Sequence, residues 1–121
     1  MLINLTNHPF LQWSDEQKQA AEQFGKCVDL PFPLVDPKAD KSDIDILTNQ
    51  YLQKIIDLTQ NENTKIVVHL MGEMSFVYTL LTKLKMHNIE SVASTSERVS
   101  IKLENGEKIT KFNFVRFRAY Y

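Results

Sequence analysis

Lys65-Ile66-Val67-Val68-His69-Leu70-Met71, followed by Gly72-Glu73-Met74-Ser75, decides the fold. An unbroken apolar run of this length between turn signals reads as a parallel strand buried on both faces. The four residues after it form a tight strand-to-helix turn. Phe76, Leu80 and Leu84 then recur at helical spacing in a helix that stops near His87-Asn88. Upstream, the pattern is similar. Met1 to Leu5 is a short apolar strand running into the polar turn Thr6-Asn7-His8-Pro9. Ser14 stands three residues before Gln17, a helix-start spacing, and the predicted helix turns Ala20, Ala21 and Phe24 inward before Gly25 ends it.

Cys27-Val28-Asp29-Leu30 reads as a second strand, closed by Pro31-Phe32-Pro33, with a loop from Val35 to Lys41. Ser42 is the expected cap of a helix bearing Ile44, Leu47, Tyr51, Ile55 and Leu58 on one stripe and ending at Asn61-Glu62-Asn63. Downstream, Ser91 to Thr95 is the fourth strand, and Thr95-Ser96-Glu97-Arg98 is the turn after it. Val99, Ile101 and Leu103 fall on one face. Asn105-Gly106 signals a type I′ hairpin, and residues 108–118 return as a long strand. The order βαβαβαβ plus a hairpin predicts an α/β fold with a mostly parallel central sheet and a C-terminal β-hairpin, in a single domain over residues 1–121.

Composition narrows the function. At 43% hydrophobic and 24% charged, the 121 residues suit a soluble globular domain. No run of 18 apolar residues is present, and the N-terminus lacks the basic region and cleavage site of a signal peptide. Single Cys27 excludes an internal disulfide and a cysteine zinc cluster, so a cytoplasmic protein is expected. The net charge of −1 is unevenly spread: residues 1–91 hold 8 Lys/Arg against 12 Asp/Glu, and residues 92–121 hold 6 against 3. Duplex DNA, which favours a broadly basic face, is an unfavourable partner; a small anionic ligand suits the basic C-terminal quarter.

Candidate site residues stand where parallel strands end, because ligand crevices of open α/β sheets lie there. Gly72 permits close backbone approach, and the helix opening near Ser75 offers free N–H groups to an anion; equally, the two residues simply shape and cap the turn. Too few glycines are present for a Walker A loop or a dinucleotide fingerprint. His8 is the best-placed proton carrier, or else ties its own turn together. His69, within a buried strand, reads as a core residue, and His87 suits a helix C-terminus. No histidine pair has metal-ligand spacing, so neither a metal nor another cofactor is expected. Arg116 and Arg118 share a strand face roughly 7 Å apart, with Phe112, Phe114 and Tyr120 assigned to the same face, either to stack on bases or to pack. An arginine-protected edge strand explains them equally well. Arg98, beside hydroxyls, is the favoured arginine. Trp13 is a core residue, a lid or a dimer contact.

Asn7-His8-Pro9, Gly72-Glu73-Met74-Ser75, Ser94-Thr95-Ser96-Glu97-Arg98 and Phe114-Val115-Arg116-Phe117-Arg118-Ala119-Tyr120 together resemble the small stand-alone ancillary proteins of type III CRISPR systems related to the CRISPR-associated Rossmann fold. The resemblance implies a Rossmann-like domain and binding of a cyclic oligoadenylate, above all cyclic tetra-adenylate, across a homodimer. Relatives of this kind either cleave the messenger as metal-independent ring nucleases or sequester it. Cleavage proceeds by attack of a ligand 2′-hydroxyl on the neighbouring phosphate and leaves a 2′,3′-cyclic phosphate. Carried onto this chain, His8 and Arg98 become catalytic, as proton shuttle and phosphate contact. Thr95 and Ser96 donate to the phosphate, and Asn7 contacts base or ribose. Gly72 and Ser75 offer backbone donors, and Glu73 bonds a ribose hydroxyl or an arginine. Arg116 and Arg118 face the ligand or the dimer partner. The rival readings are a sponge without catalysis, an interaction module with no nucleotide ligand, and a small enzyme acting on a linear nucleotide.

Overall fold

The computed structural model describes all 121 residues and has one five-stranded sheet. In chain order the elements are β1 (Leu2–Leu5), α1 (Asp15–Ala21), β2 (Cys27–Asp29), α2 (Lys41–Thr59), β3 (Val67–Leu70), α3 (Met74–Met86), β4 (Glu90–Lys102) and β5 (Lys108–Ala119). The strand order is β2-β1-β3-β4-β5, with β1 to β4 parallel and β5 antiparallel to β4. The α/β class, the mostly parallel sheet and the C-terminal hairpin are as expected.

Alternation along the central strands separates two cores. Ile3 and Leu5 of β1 and Val68 and Leu70 of β3 pack beneath α2 and α3 with Ile55, Phe76, Leu80 and Leu84. Leu2 of β1 and Val67 of β3 point the other way, to α1, with Trp13, Ala21, Val92 and Phe117. Both faces of β1 and β3 are therefore covered, which is why β3 reads as an unbroken apolar run.

Helix boundaries follow their caps. Ser14 accepts from the Gln17 N–H and opens α1, and Gly25 at φ 82° closes the short turn after it. For α2 the cap is Asp40, not Ser42: Asp40 and Asp43 each accept the other's backbone N–H. That reciprocal pair satisfies two free N–H groups where a serine satisfies one. The predicted inward stripe of α2 holds through Ile44, Leu47, Tyr51 and Ile55, but Leu58 is exposed.

The largest departure is β4. A turn was expected at Thr95–Arg98; instead the strand runs on to Lys102. Only Glu90 to Val92 pair with β3, whereas pairing with β5 covers Val92 to Lys102. The two strands therefore leave the sheet as a free ribbon, which over residues 96–102 projects about 24 Å at ordinary strand rise. Its tip is not type I′: Gly106 alone has positive φ, at 86°, and its N–H donates to Leu103 O at 3.0 Å. Asn105 keeps negative φ, as a type I turn followed by a glycine bulge requires.

Candidate functional site

The chain leaves β1 toward α1 on one face and leaves β3 toward α3 on the other. Adjacent strands whose connections diverge open a crevice at their carboxyl ends. A cavity of ≈ 620 Å³ lies there, lined by Thr6, Asn7 and His8 after β1, Met71 and Gly72 after β3, and Ser94, Ser96, Phe112 and Phe114 from the ribbon. Gln12, Ser14 and Gln17 close one side, and buried Trp13 and His69 complete the lining. The volume is in the usual range for small-molecule sites, about 300–1,000 Å³.

Asn4, 1% exposed, organises the β1 side. Its Nδ2 donates to Asp29 Oδ1 at 2.8 Å and to the His8 carbonyl at 2.9 Å, while its Oδ1 accepts from Thr6 Oγ1 at 3.0 Å. The His8 carbonyl also accepts from Trp13 Nε1 at 2.9 Å, and Asp29 accepts from the Phe10 N–H at 3.1 Å. The backbone of His8, not its imidazole, therefore ties the turn. Its ring is exposed on the crevice wall beside Asn7. A smaller cavity of ≈ 250 Å³ lies on the far side of this turn, and Thr6 and Asn7 line both.

His69 belongs to this network, not to a plain apolar core. Its Nδ1 lies 3.1 Å from Asn4 Oδ1, and Trp13 and Phe117 meet its ring edge-on at 5.3 and 5.2 Å. Burial, and then the nearby His8, lowers its pKa to about 4. The unfolded chain therefore takes up this proton before the folded one does, so the stabilisation is complete above about pH 6.5 and falls as pH drops toward 4. Between pH 7 and 5 the expected loss is about 2 kcal/mol, read by calorimetry and flattened in His69→Phe. An unchanged slope in that variant would contradict the assignment.

Gly72 lines the crevice, but what demands a glycine is Phe32. A Cβ at position 72 would lie 2.3 Å from ring atoms of Phe32, which packs edge-on against Phe76 at 5.0 Å. Gly72→Ala is expected to destabilise the fold by about 1–3 kcal/mol, the scale of overpacking, in a denaturation midpoint. Glu73 and Ser75 stand outside the cavity lining. Glu73, not Ser75, caps α3, accepting the N–H groups of Ser75 and Phe76 at 3.0 and 2.8 Å and the Ser75 hydroxyl at 2.6 Å. These bonds hold its carboxyl below the usual range, led by the Ser75 hydroxyl. The expected anion position at this helix end is thus filled by the chain's own carboxylate.

On the ribbon, Thr95 pairs with Arg116 and Ser96 with Phe114, leaving Val115 unpaired in a bulge. An extra residue reverses the alternation. Phe112 and Phe114 consequently join Phe117 on the α1 side, while Arg116 and Arg118 turn to the opposite face, correcting the shared face expected from an unbroken strand. Thr95 goes with Arg116 and donates to its carbonyl at 3.2 Å. Tyr120 donates to Leu70 O at 2.6 Å, which ties its hydroxyl to the end of β3. On the crevice side, cross-strand pairs place Ser96 with Phe114, Arg98 with Phe112, Ser100 with Thr110 and Lys102 with Lys108. Arg98 thus lies one step beyond the lining, on a face with three cations and no carboxylate. None of the three forms an ion pair.

Of the expected site residues, Asn7, His8, Gly72 and Ser96 meet in the crevice and Arg98 borders it. Glu73, Ser75, Thr95, Arg116 and Arg118 do not join them. Trp13, His69 and Ser94 line the crevice without having been expected site residues; a histidine one place from the end of a buried strand was the available signal. Half-buried Cys27 packs against the α1-side core, its thiol pushed up to about 11 by burial and then by Asp29. No group of three His, Cys, Asp or Glu side chains is arranged to hold a metal ion, and no helix is long and apolar enough to cross a membrane.

Neither the curated proteins nor the solved structures contain a match to this chain. One family model does match, over residues 1–118 of the 121. The chain belongs to the Uncharacterized protein MJ1673 family.

Proposed function

We propose that this Rossmann-like chain binds a cyclic oligoadenylate, cyclic tetra-adenylate foremost, across a homodimer and cleaves it without metal, ending type III CRISPR signalling in the cytoplasm. One observation carries the reading: an uncharged, hydroxyl- and amide-lined crevice runs directly onto a ribbon face bearing Arg98, Lys102, Lys108 and two phenylalanines. Sugars and bases suit the first surface, and phosphates with stacked bases suit the second. A cyclic ligand of four nucleotides exceeds one crevice, and two copies about a two-fold axis duplicate each contact.

In this reading Arg98 contacts the phosphate, Ser96 donates to it, and Asn7 orients the ribose. His8 accepts the proton of the 2′-hydroxyl as the 2′-oxygen bonds to phosphorus. The P–O5′ bond breaks, and the leaving oxygen takes a proton from water. Holding the hydroxyl in line is the main contribution asked of the protein. Sequestration is the second reading, favoured by a crevice lined by no Asp, Glu, Lys or Arg and by one exposed imidazole. Incubating excess protein with cyclic tetra-adenylate in EDTA separates the two. Linear products ending in 2′,3′-cyclic phosphate, lost in His8→Ala, support cleavage; bound but intact ligand supports sequestration. Absence of binding removes both and favours an interaction module.

A further inference from the structure

One residue of the crevice lining, His69, carries a buried ring nitrogen that has no partner. His69 is 2% exposed, and its Nε2 is the only buried side-chain nitrogen or oxygen without a hydrogen bond. Such an orphan is uncommon in a folded protein and calls for a reason.

The surrounding bonds decide what this atom offers. Asn4 Nδ2 donates to two acceptors, so Asn4 Oδ1 is the amide's acceptor and His69 Nδ1 must carry the hydrogen that meets it. Nε2 therefore presents a bare lone pair. The ring is held in place, with Asn4 on one edge and Trp13 and Phe117 on the flanks, and Nε2 is itself covered, so a ligand donor meets it only as a covering side chain moves aside. A neutral acceptor walled by aromatic rings fits a neutral donor on an aromatic ligand and repels an anion.

We propose that His69 Nε2 is a specificity-determining acceptor for an O–H or N–H donor of a bound nucleoside, either the ribose 2′-hydroxyl or the exocyclic amine of adenine. The inference deepens the nucleotide-binding reading above and rests on it for the ligand class. It differs from the role of His8, because His69 stays neutral and transfers no proton.

Nitrogen-15 NMR of the His69 imidazole tests it on the intact protein. Nε2 should resonate as an unprotonated nitrogen and shift on addition of adenosine or cyclic tetra-adenylate, but not of inorganic phosphate. Inosine, lacking the amine, and 2′-deoxyadenosine, lacking the hydroxyl, identify the donor by whichever fails to shift Nε2. His69→Phe should weaken cyclic tetra-adenylate about tenfold. His69→Gln keeps an acceptor at similar depth and should recover part of that loss, which a purely structural role would not predict. If adenosine shifts Nε2 while cyclic tetra-adenylate does not bind, the messenger reading fails and the His69 assignment stands. If cyclic tetra-adenylate binds without moving Nε2 and equally well to a folded His69→Phe, the His69 assignment fails alone. No shift with any nucleoside overturns it as well.

Discussion

Phe117→Ala is expected to destabilise the protein by about 3–5 kcal/mol, the cost of deleting a buried phenylalanine and leaving a cavity. Phe117 is 8% exposed and is the point where the ribbon is fastened to the rest of the fold. Its ring lies 5.1 Å from Phe114, 5.5 Å from Phe24, 5.2 Å from His69 and 6.0 Å from Trp13. Removing it opens the α1-side core next to the crevice, so the ribbon loses its anchor as the core loses volume. An isolated two-stranded ribbon is marginal in water, and this one depends on its root. Phe112, 70% exposed on the same face, is the matched control, and its alanine variant should change stability by only about 0.5 kcal/mol. Chemical denaturation of the two variants checks the contrast. Equal losses would contradict the assignment of Phe117 as the buried anchor of the ribbon.

Arg98→Ala is expected to weaken cyclic tetra-adenylate by about 1.5–3 kcal/mol, or roughly ten- to hundredfold, if its guanidinium meets a phosphate. Arg98 is exposed and forms no ion pair, so the fold should tolerate its loss. Arg116→Ala and Arg118→Ala supply the comparison because the bulge turns both to the opposite face; each should leave affinity within about twofold, a loss smaller than that of one net hydrogen bond. Calorimetric titration of the three variants reads the difference, and raising the salt should shrink the Arg98 effect. A folded Arg98→Ala protein of full affinity would remove Arg98 from the site. Losses at Arg116 and Arg118 that equal the loss at Arg98 would favour general charge attraction over a defined face.

The parts of the fold that were legible in the sequence are those governed by a regular period. Phe76, Leu80 and Leu84 mark one face of α3, and the run through Val67 to Leu70 marks a strand covered on both sides. Asn7, His8 and Gly72 were readable as rim residues because topology alone brings the ends of β1 and β3 together. What escaped depends on single residues that interrupt a period. Val115 adds one place to β5 and moves two phenylalanines to the arginine-free face of that strand. Thr95 to Arg98 resemble a turn by composition, yet their backbone pairs with β5 and continues the strand. Glu73 looked like a group seeking a ribose or an arginine, but its nearest donors are the N–H groups it caps. His69 was read from its apolar neighbours, and only the position of Asn4 across the sheet reveals that one ring nitrogen is bonded and the other is not.

In the proposed complex a cyclic oligoadenylate occupies the β1/β3 crevice and extends along the Arg98 face. Backbone NMR of the labelled protein, titrated with cyclic tetra-adenylate in EDTA, tests it most directly. Saturable shifts at Asn7, His8, Ser94, Ser96, Arg98 and Phe112, with Arg116 and Arg118 little affected, are the expected result. No saturable shift, or shifts centred on the Arg116 and Arg118 face, would overturn this placement of the ligand.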